Sequence, residues 1–169
     1  MLGEMIQALH REGIRCPLYF TVGWEEDSAR RHPEWRQVRR DGSFARAGTH
    51  PGAWWFLNFL HPGYQDLMEA QVRELLKRYD VDGLWFDILF LEGDSCWSAE
   101  SMKLRRRLGL TGTDRRTHDL FECAAQVAFA RKFTGVVRGL NREAAIFYNN
   151  TNRIYLDSTV GIRRLTGHA

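Results

Sequence analysis

The clearest hydrophobic pattern in the chain is a short apolar run over residues 82–90. It lies between an Asp-Gly and a Glu-Gly pair and is too short for a core helix, so it predicts a parallel strand buried on both faces. Alternation with a period of two places Asp87 on one face with Trp85, and Leu84 and Phe86 on the face that meets helices. A carboxylate at this point either sits where barrel enzymes carry catalytic residues or merely caps the following turn.

Helical and strand patterns alternate along the rest of the chain. Helical patterns cover residues 1–13, 64–79, 99–108 and 121–140, and strand patterns cover residues 14–24, 54–60, 82–90 and 144–149. The polar segment 25–52 is too long for a plain connection and predicts a loop at the active-site face. This order indicates βαβ units around a parallel sheet.

The choice between the two common folds of this kind depends on glycine motifs. A doubly wound fold usually has a glycine-rich phosphate turn after an early strand, and neither GxGxxG nor GxxxxGK[ST] occurs here. We therefore predict an α/β fold that is a partial (β/α)8 TIM barrel, with roughly strands two to five and their helices. A single domain is expected over residues 1–169, in which residues 151–169 form a divergent tail.

Composition and charge narrow the function classes. The chain has 169 residues, 44% of them hydrophobic, and a net charge of +3. No apolar run approaches the roughly 20 residues of a membrane span, and the basic clusters are interleaved with acids, which favours solvated surfaces over a nucleic-acid interface. Cys16, Cys96 and Cys123 form no CxxC pair and no histidines have helical metal-ligand spacing, so we expect neither a metal nor a cofactor. The first helix lacks the features of a secretion signal, and a cytoplasmic protein is expected.

Five short motifs follow one another in a fixed order. They are His32-Pro33-Glu34-Trp35 with Asp41-Gly42, Leu57-Asn58 through His61-Pro62-Gly63-Tyr64, the stretch from Tyr79 to Asp87, Cys96-Trp97, and Phe147-Tyr148-Asn149. Together they resemble the hypothetical glycosyl hydrolase family six and its relatives among the alpha-L-fucosidases. The resemblance implies a (β/α) barrel in which the Asp closing the fourth strand is the nucleophile of a retaining O-glycosidase, at Asp87. Alpha-amylases have a similar run but carry an Arg two residues before the nucleophile, where this chain has Trp85.

The resemblance makes a carbohydrate the expected substrate, and certain side chains suit it. Aromatic rings pack on sugar C–H faces, and Asn or His side chains both donate to and accept from hydroxyls. The candidates for substrate binding are Trp24, Asn58, His61, Trp85 and Asn149. Core packing competes as an explanation for each Trp, and turn formation or the end of a strand competes for the others.

The second carboxyl group of a retaining glycosidase is not evident. It must be protonated and lie about 5 Å from the nucleophile. Glu25, Glu26, Glu92 and Asp94 lie in predicted loops that reach the barrel mouth, although capping and solvation explain them as well. No Glu follows Glu143, so we expect a fragment of a larger barrel that associates with itself through unclosed sheet edges.

Two other functions stay open at this point. One is a noncatalytic carbohydrate-binding or interaction module derived from a truncated barrel, and the other is an unrelated α/β enzyme in which Asp87 binds a cation. The glycosidase interpretation makes three structural predictions. Asp87 faces a pocket with Trp85 buried below it, the loop 25–52 lies at the same rim, and Trp35 is tucked inward as a packing anchor.

Overall fold

A computed structural model describes residues 1–50 and 52–149 of the chain. The predicted tail, residues 151–169, lies outside the described residues. Five α-helices are present in the described part, along with a short 3-10 helix at Pro33–Trp35: α1 (Leu2–Arg11), α2 (Glu26–Arg31), α3 (Pro62–Arg78), α4 (Ala99–Leu108) and α5 (Arg115–Leu140). None of them is both long and apolar enough to cross a membrane.

Three strands form one parallel sheet in this part of the chain. They are β1 (Pro17–Thr21), β2 (Gly83–Asp87) and β3 (Ala145–Tyr148), in the order β1-β2-β3. The registers align Tyr19 with Trp85 and Trp85 with Phe147 across the sheet. The strand in the middle, β2, therefore ends with Asp87, where the sequence predicted a strand-ending carboxylate.

Capping residues and a proline mark the ends of α3 and α4. Pro62 occupies the first turn of α3, where an N–H would have no partner within the helix. The side chain of Ser98 accepts a hydrogen bond from the backbone N–H of Ser101 and so caps α4, which ends at Gly109 with a φ of 68°. These signals explain why the predicted bounds of α4 match the observed ones.

The core lies between one face of the sheet and the long helices. Phe86 is fully buried and packs on Phe129 and Phe133 of α5, with ring centroids 6.0 and 5.7 Å away. It also stacks on Tyr148 of β3 at 5.2 Å. Each such ring buries roughly 150–250 Å², so this aromatic layer contributes a large hydrophobic contact between the sheet and α5.

The predicted strand over residues 54–60 is wrong. Only Trp55 and Leu57 make isolated antiparallel bridges there, to Arg46 and Arg36. The segment folds back on its own loop because those partners lie in the polar stretch before it, so the described sheet has three strands rather than four. The apolar residues Leu57 and Phe59 are buried all the same, and the hydrophobic pattern therefore reported burial rather than strand pairing.

Candidate functional site

The candidate site is built around Asp87 at the carboxyl end of β2. Asp87 pairs in register with Thr21 of β1 and is half-buried. Asn149, directly after β3, donates a hydrogen bond from its side-chain Nδ2 to Asp87 Oδ1 at 2.5 Å. The sheet therefore brings together the two polar residues that the sequence placed at the ends of separate strands.

Tyr19 of β1 is the third polar group at this end of the sheet. Partial burial raises the pKa of the Tyr19 phenol, and hydrogen bonding to Asp87 and the charge of that carboxylate raise it further, against a lowering by Thr21. The phenol thus stays protonated and can donate to the carboxylate. With Asn149 on one side and Tyr19 on the other, Asp87 has neighbours from both flanking strands.

An aromatic row lies one layer below Asp87 and Asn149 on the same face of the sheet, and Tyr19 is part of it. Tyr19, Trp85 and Phe147 occupy neighbouring strands, and 59%, 44% and 53% of their respective surfaces are exposed. The prediction that Trp85 is buried below Asp87 is wrong, because no described residue covers this face. The alternation itself is confirmed, since Leu84 and Phe86 are buried against the helices.

The chain that follows β1 makes backbone hydrogen bonds at the carboxyl ends of β1 and β2. The backbone N–H of Val22 donates to the Asp87 carbonyl at 2.8 Å, and that of Leu57 donates to the Gly23 carbonyl at 2.9 Å. Trp35 is buried and stacks on His32 at 3.8 Å, which confirms the predicted anchor. An active-site role for residues 25–52 stays a prediction.

Gln37 fastens this segment to the chain that follows Asp87. Its fully buried side chain donates to the carbonyls of Leu57 and Phe90, at 3.1 and 3.0 Å. Its Oε1 accepts from the backbone N–H of Glu92 at 2.9 Å and from the Ser95 hydroxyl at 2.8 Å. All four hydrogen-bonding positions of the amide are used, so Gln37 fixes the two loops to each other.

Trp24 lies near the site. Its ring packs edge-on against the half-exposed Trp54, with centroids 5.0 Å apart, and 5.6 Å from Phe56. Trp24 also contacts the small hydrophobic cluster that contains Ile88, the residue after Asp87. The structure thus places Trp24 beside the strand end, and its contact with a sugar stays a prediction.

Asn58 and His61 serve other contacts. Asn58 is fully buried, where its Nδ2 donates to the Ser98 hydroxyl at 2.9 Å and its Oδ1 accepts from the backbone N–H of Leu60. His61 precedes α3, and its ring lies 6.0 Å from that of Trp35. The structure does not group either residue with Asp87 and Asn149, so their binding of substrate rests on the sequence motif alone.

Three of the four candidate acids accept hydrogen bonds from residues other than Asn149 and Tyr19. Glu25 accepts from the backbone N–H groups of Asp27 and Ser28 and caps α2. Glu92 accepts two hydrogen bonds from Arg39, at 3.2 and 3.0 Å.

The remaining two candidates are Glu26 and Asp94. Glu26 accepts from the backbone N–H of Trp55 at 3.4 Å, and Asp94 is exposed. Among the residues that the structure describes, no hydrogen bond or ion pair links any of the four candidates to Asp87.

Sequence reasoning missed three residues of this site. Tyr19 could have been found, because alternation along β1 places it on the face of Asp87 once β1 and β2 are aligned. Ile88 and Gln37 carry no such signal. Ile88 has a φ of 60° that its residue type does not predict, and Gln37 lies in a polar loop whose local pattern does not predict burial.

Comparison with known proteins connects this geometry to a family. The model of the hypothetical glycosyl hydrolase 6 family matches residues 1–88, which contain β1, β2 and Asp87. The chain belongs to this family. No curated protein matches the chain.

Several solved structures share the fold of this chain. The alpha-L-fucosidase isoenzyme 2 from Paenibacillus thiaminolyticus aligns over 95% of this chain with a TM-score of 0.73 and 23% identity. A cycloisomaltooligosaccharide glucanotransferase from Paenibacillus sp., complexed with cycloisomaltoheptaose, covers 88% of this chain at 14% identity with a TM-score of 0.60. An alpha-galactosidase from Thermus thermophilus, in complex with stachyose, covers 87% at 17% identity with a TM-score of 0.50.

The alignments take up a minor part of each of these proteins. This chain spans 24% of the fucosidase, 20% of the glucanotransferase and 27% of the galactosidase. At these identities the likeness establishes a shared fold over the α/β unit described above. A shared fold does not by itself assign the activity of those proteins to this chain.

Proposed function

We propose that this chain carries the nucleophile of a retaining O-glycosidase of the alpha-L-fucosidase type, and that Asp87 is that nucleophile. The main observation behind this proposal is that Asp87 lies at the carboxyl end of the central strand. It is hydrogen-bonded to Asn149 and lies above a row of half-exposed rings. In (β/α) barrels this end of the strands holds the catalytic residues. The family match and the likeness to the fucosidase support the proposal.

The chemistry proposed for Asp87 is a displacement at the anomeric carbon of the sugar. A carboxylate oxygen of Asp87 forms a bond to that carbon while the bond to the leaving oxygen breaks, and an acid supplies the proton that the leaving group takes. Asn149 and Tyr19 hold the carboxylate in place, and Trp85 offers a ring to the C–H face of the sugar. Water then releases the sugar. We assign no described residue as the acid.

The larger architecture that we propose is a (β/α)8 barrel to which this chain contributes β1, β2 and β3. The outer strands β1 and β3 have free edges within the described sheet, and the row of Tyr19, Trp85 and Phe147 is open. Both features favour pairing with further strands or with a second copy of the chain. A cytoplasmic location stays a prediction from the sequence.

Covalent labelling tests the nucleophile without requiring that the acid be identified. A 2-deoxy-2-fluoro-fucosyl fluoride has a leaving group that needs little protonation, so an intact site accumulates the sugar ester. We expect intact-protein mass spectrometry to show one adduct that peptide mapping places on Asp87, and no adduct in Asp87→Asn. The control is Asp80→Asn, whose side chain is 92% exposed and outside the site, and which is expected to label normally.

The outcome that contradicts the proposal is an unlabelled wild-type chain, or label that persists in Asp87→Asn. Steady hydrolysis of aryl glycosides is a weaker test. Proton transfer to the leaving group contributes about 10²- to 10⁴-fold, so the wild-type chain and Asp87→Asn are expected to be indistinguishable in turnover when assayed alone.

A noncatalytic carbohydrate-binding module is the second candidate. The half-exposed rings of Tyr19, Trp85 and Phe147 favour it, because aromatic faces bind sugars whether or not a bond is broken. Saturation-transfer NMR with fucose and galactose separates the two functions. Binding that survives in Asp87→Asn, together with an absence of covalent label in the wild-type chain, supports the module.

A further inference from the structure

Ile88, directly after Asp87, has a backbone conformation that its side chain disfavours. Its φ is 60°, and it is the sole residue other than glycine with a positive φ among the described residues. A β-branched side chain in this left-handed region is a true outlier. The conformation costs roughly five- to thirty-fold in population relative to an ordinary one, so the surrounding structure must hold it in place.

Packing and hydrogen bonds provide this hold. Ile88 is 8% exposed and contacts Ala45 and Phe56, which lie in the segment above the strand ends. On either side of it, the carbonyl of Asp87 accepts from the backbone N–H of Val22 at 2.8 Å, and the N–H of Leu89 donates to the Asn149 carbonyl at 3.2 Å. The chain at Ile88 is therefore tied to the ends of both neighbouring strands.

Gly23 leaves the space that this conformation needs. A methyl group at Gly23 would collide with the carbonyl oxygen of Ile88 and lie 2.5 Å from its Cγ2. The φ of Ile88 and the absent side chain of Gly23 are thus two parts of one arrangement. A regular strand through Ile88 would instead direct its side chain to the face of Phe86.

We propose that the left-handed backbone of Ile88, accommodated by Gly23, is a positioning device that holds the Asp87 carboxylate between Tyr19 and Asn149. This inference rests on the proposed function in so far as Asp87 is the group worth positioning. Its physical content concerns the direction of one side chain, which is measured without any sugar. Strained residues of this kind concentrate at functional sites, where surrounding contacts maintain them.

Two substitutions separate the backbone conformation from the side chain. Ile88→Ala and Ile88→Gly both remove the packing of the Ile side chain, but only glycine adopts a positive φ without penalty. We expect Ile88→Ala to leave the left-handed region and release Asp87, and Ile88→Gly to keep both. The unfolding equilibrium constant of the Gly variant should be about five- to thirty-fold smaller than that of the Ala variant, which reverses the usual order of these residues in regular structure.

The ionisation of Tyr19 reports where Asp87 points. Its pKa is measured by NMR on protein labelled with ¹³C in the tyrosine rings, with the signal assigned through Tyr19→Phe, and Asp87→Asn gives the value without the carboxylate. We expect Ile88→Ala to shift the Tyr19 pKa to the Asp87→Asn value and Ile88→Gly to restore the wild-type value. A purely structural Ile88 would leave Tyr19 unchanged in both variants.

The proposal is overturned if Ile88→Ala keeps the wild-type Tyr19 pKa, or if Ile88→Gly fails to restore it. Should Ile88→Ala be unfolded, the Tyr19 pKa of Gly23→Ala decides between support and contradiction. Gly23→Ala provides an independent variant, because it keeps Ile88 and acts from the chain that follows β1. It should lower the Tyr19 pKa, and an unchanged value contradicts the proposal. Failure of the fluorosugar to label Asp87 would end the proposed function and leave these results standing.

Discussion

Asp82 directly precedes β2 and Asp87 is its last residue, and the two carboxylates have different hydrogen-bond partners. Asp82 accepts hydrogen bonds from the backbone N–H of Cys16 at 2.6 Å and from the His10 ring at 2.8 Å. Its own backbone carbonyl accepts from Ala145 at 2.7 Å. This one residue therefore ties α1, the start of β1 and the start of β3 to the central strand.

The residues at the carboxyl end of the same strand have features that do not stabilise the fold. Asp87 meets two polar side chains, the rings beneath it are open, and the next residue has a φ of 60°. A folded chain gains nothing from such features by themselves. The contrast teaches that the carboxylate before β2 joins neighbouring elements to the sheet, whereas the carboxylate that ends β2 lies beside a strained residue and half-exposed rings.

The largest change in the free energy of unfolding is expected from a larger side chain at Gly83, the first residue of β2. A methyl group at Gly83 would collide with the carbonyl oxygen of Ala145 and lie 2.9 Å from its Cβ. We expect Gly83→Ala to lower the free energy of unfolding by about 3 kcal/mol, since the backbones of β2 and β3 must separate. Urea denaturation followed by circular dichroism measures the change.

The matched control for this substitution is Gly139→Ala in α5. Nothing lies within 4 Å of a methyl group at that position, so the same chemical change should stabilise the helix by roughly 0.5–1 kcal/mol. A Gly83→Ala variant as stable as the wild type would show that the close approach of the strands is not required.

The second largest loss of stability is expected when Asp82 is replaced. We expect Asp82→Ala to cost about 2 kcal/mol, because it leaves the N–H of Cys16 and the His10 ring without their charged acceptor. Asp80→Ala is the control, since Asp80 is 92% exposed and lies 3.6 Å from the same His10 ring, and an exposed pair of this kind contributes little. Equal losses in the two variants would contradict the role given to Asp82.

The pH dependence of this difference has a defined sign. Hydrogen bonds from the Cys16 backbone and then from His10 hold the pKa of Asp82 below its usual value. A carboxyl group of this kind stabilises the fold above its unfolded pKa, near 4, and loses the contribution as the pH falls through the folded value. The stability gap between wild type and Asp82→Ala should therefore shrink on acidification below about pH 4, and a gap that grows would contradict the assignment.

The contrast between the two ends also explains what the sequence could predict of the fold. The apolar stripe of α3, the caps of α4 and the alternation in β2 are local signals, and each gave the right element. The run 54–60 misled because Leu57 and Phe59 are buried, and burial alone does not distinguish a sheet strand from a folded-back loop. Pairing depends on partners such as Arg36 and Arg46, which a local pattern does not identify.

Some features of the candidate site could likewise be predicted from local sequence patterns, and others could not. The face shared by Asp87 and Trp85 followed from a period of two, and Asn149 followed from its place after a strand. The exposure of Trp85 did not, because it depends on what covers the sheet rather than on the strand itself. The φ of Ile88 and the bonds of Gln37 arise from contacts between loops far apart in sequence, and their residue types give no sign of them.

The smallest effect on stability is expected at Asp87. Asn has the same shape and can still accept from Asn149 and Tyr19, and Asp87 is half-buried rather than enclosed, so Asp87→Asn should change the free energy of unfolding by less than about 0.5 kcal/mol. A small gain would fit a residue kept for chemistry at the expense of stability. The urea midpoints of Asp87→Asn and Asp82→Ala, measured side by side, decide the matter. If Asp87→Asn loses as much as Asp82→Ala, the carboxyl end is a structural tie like the amino end, and the division of labour along β2 does not exist.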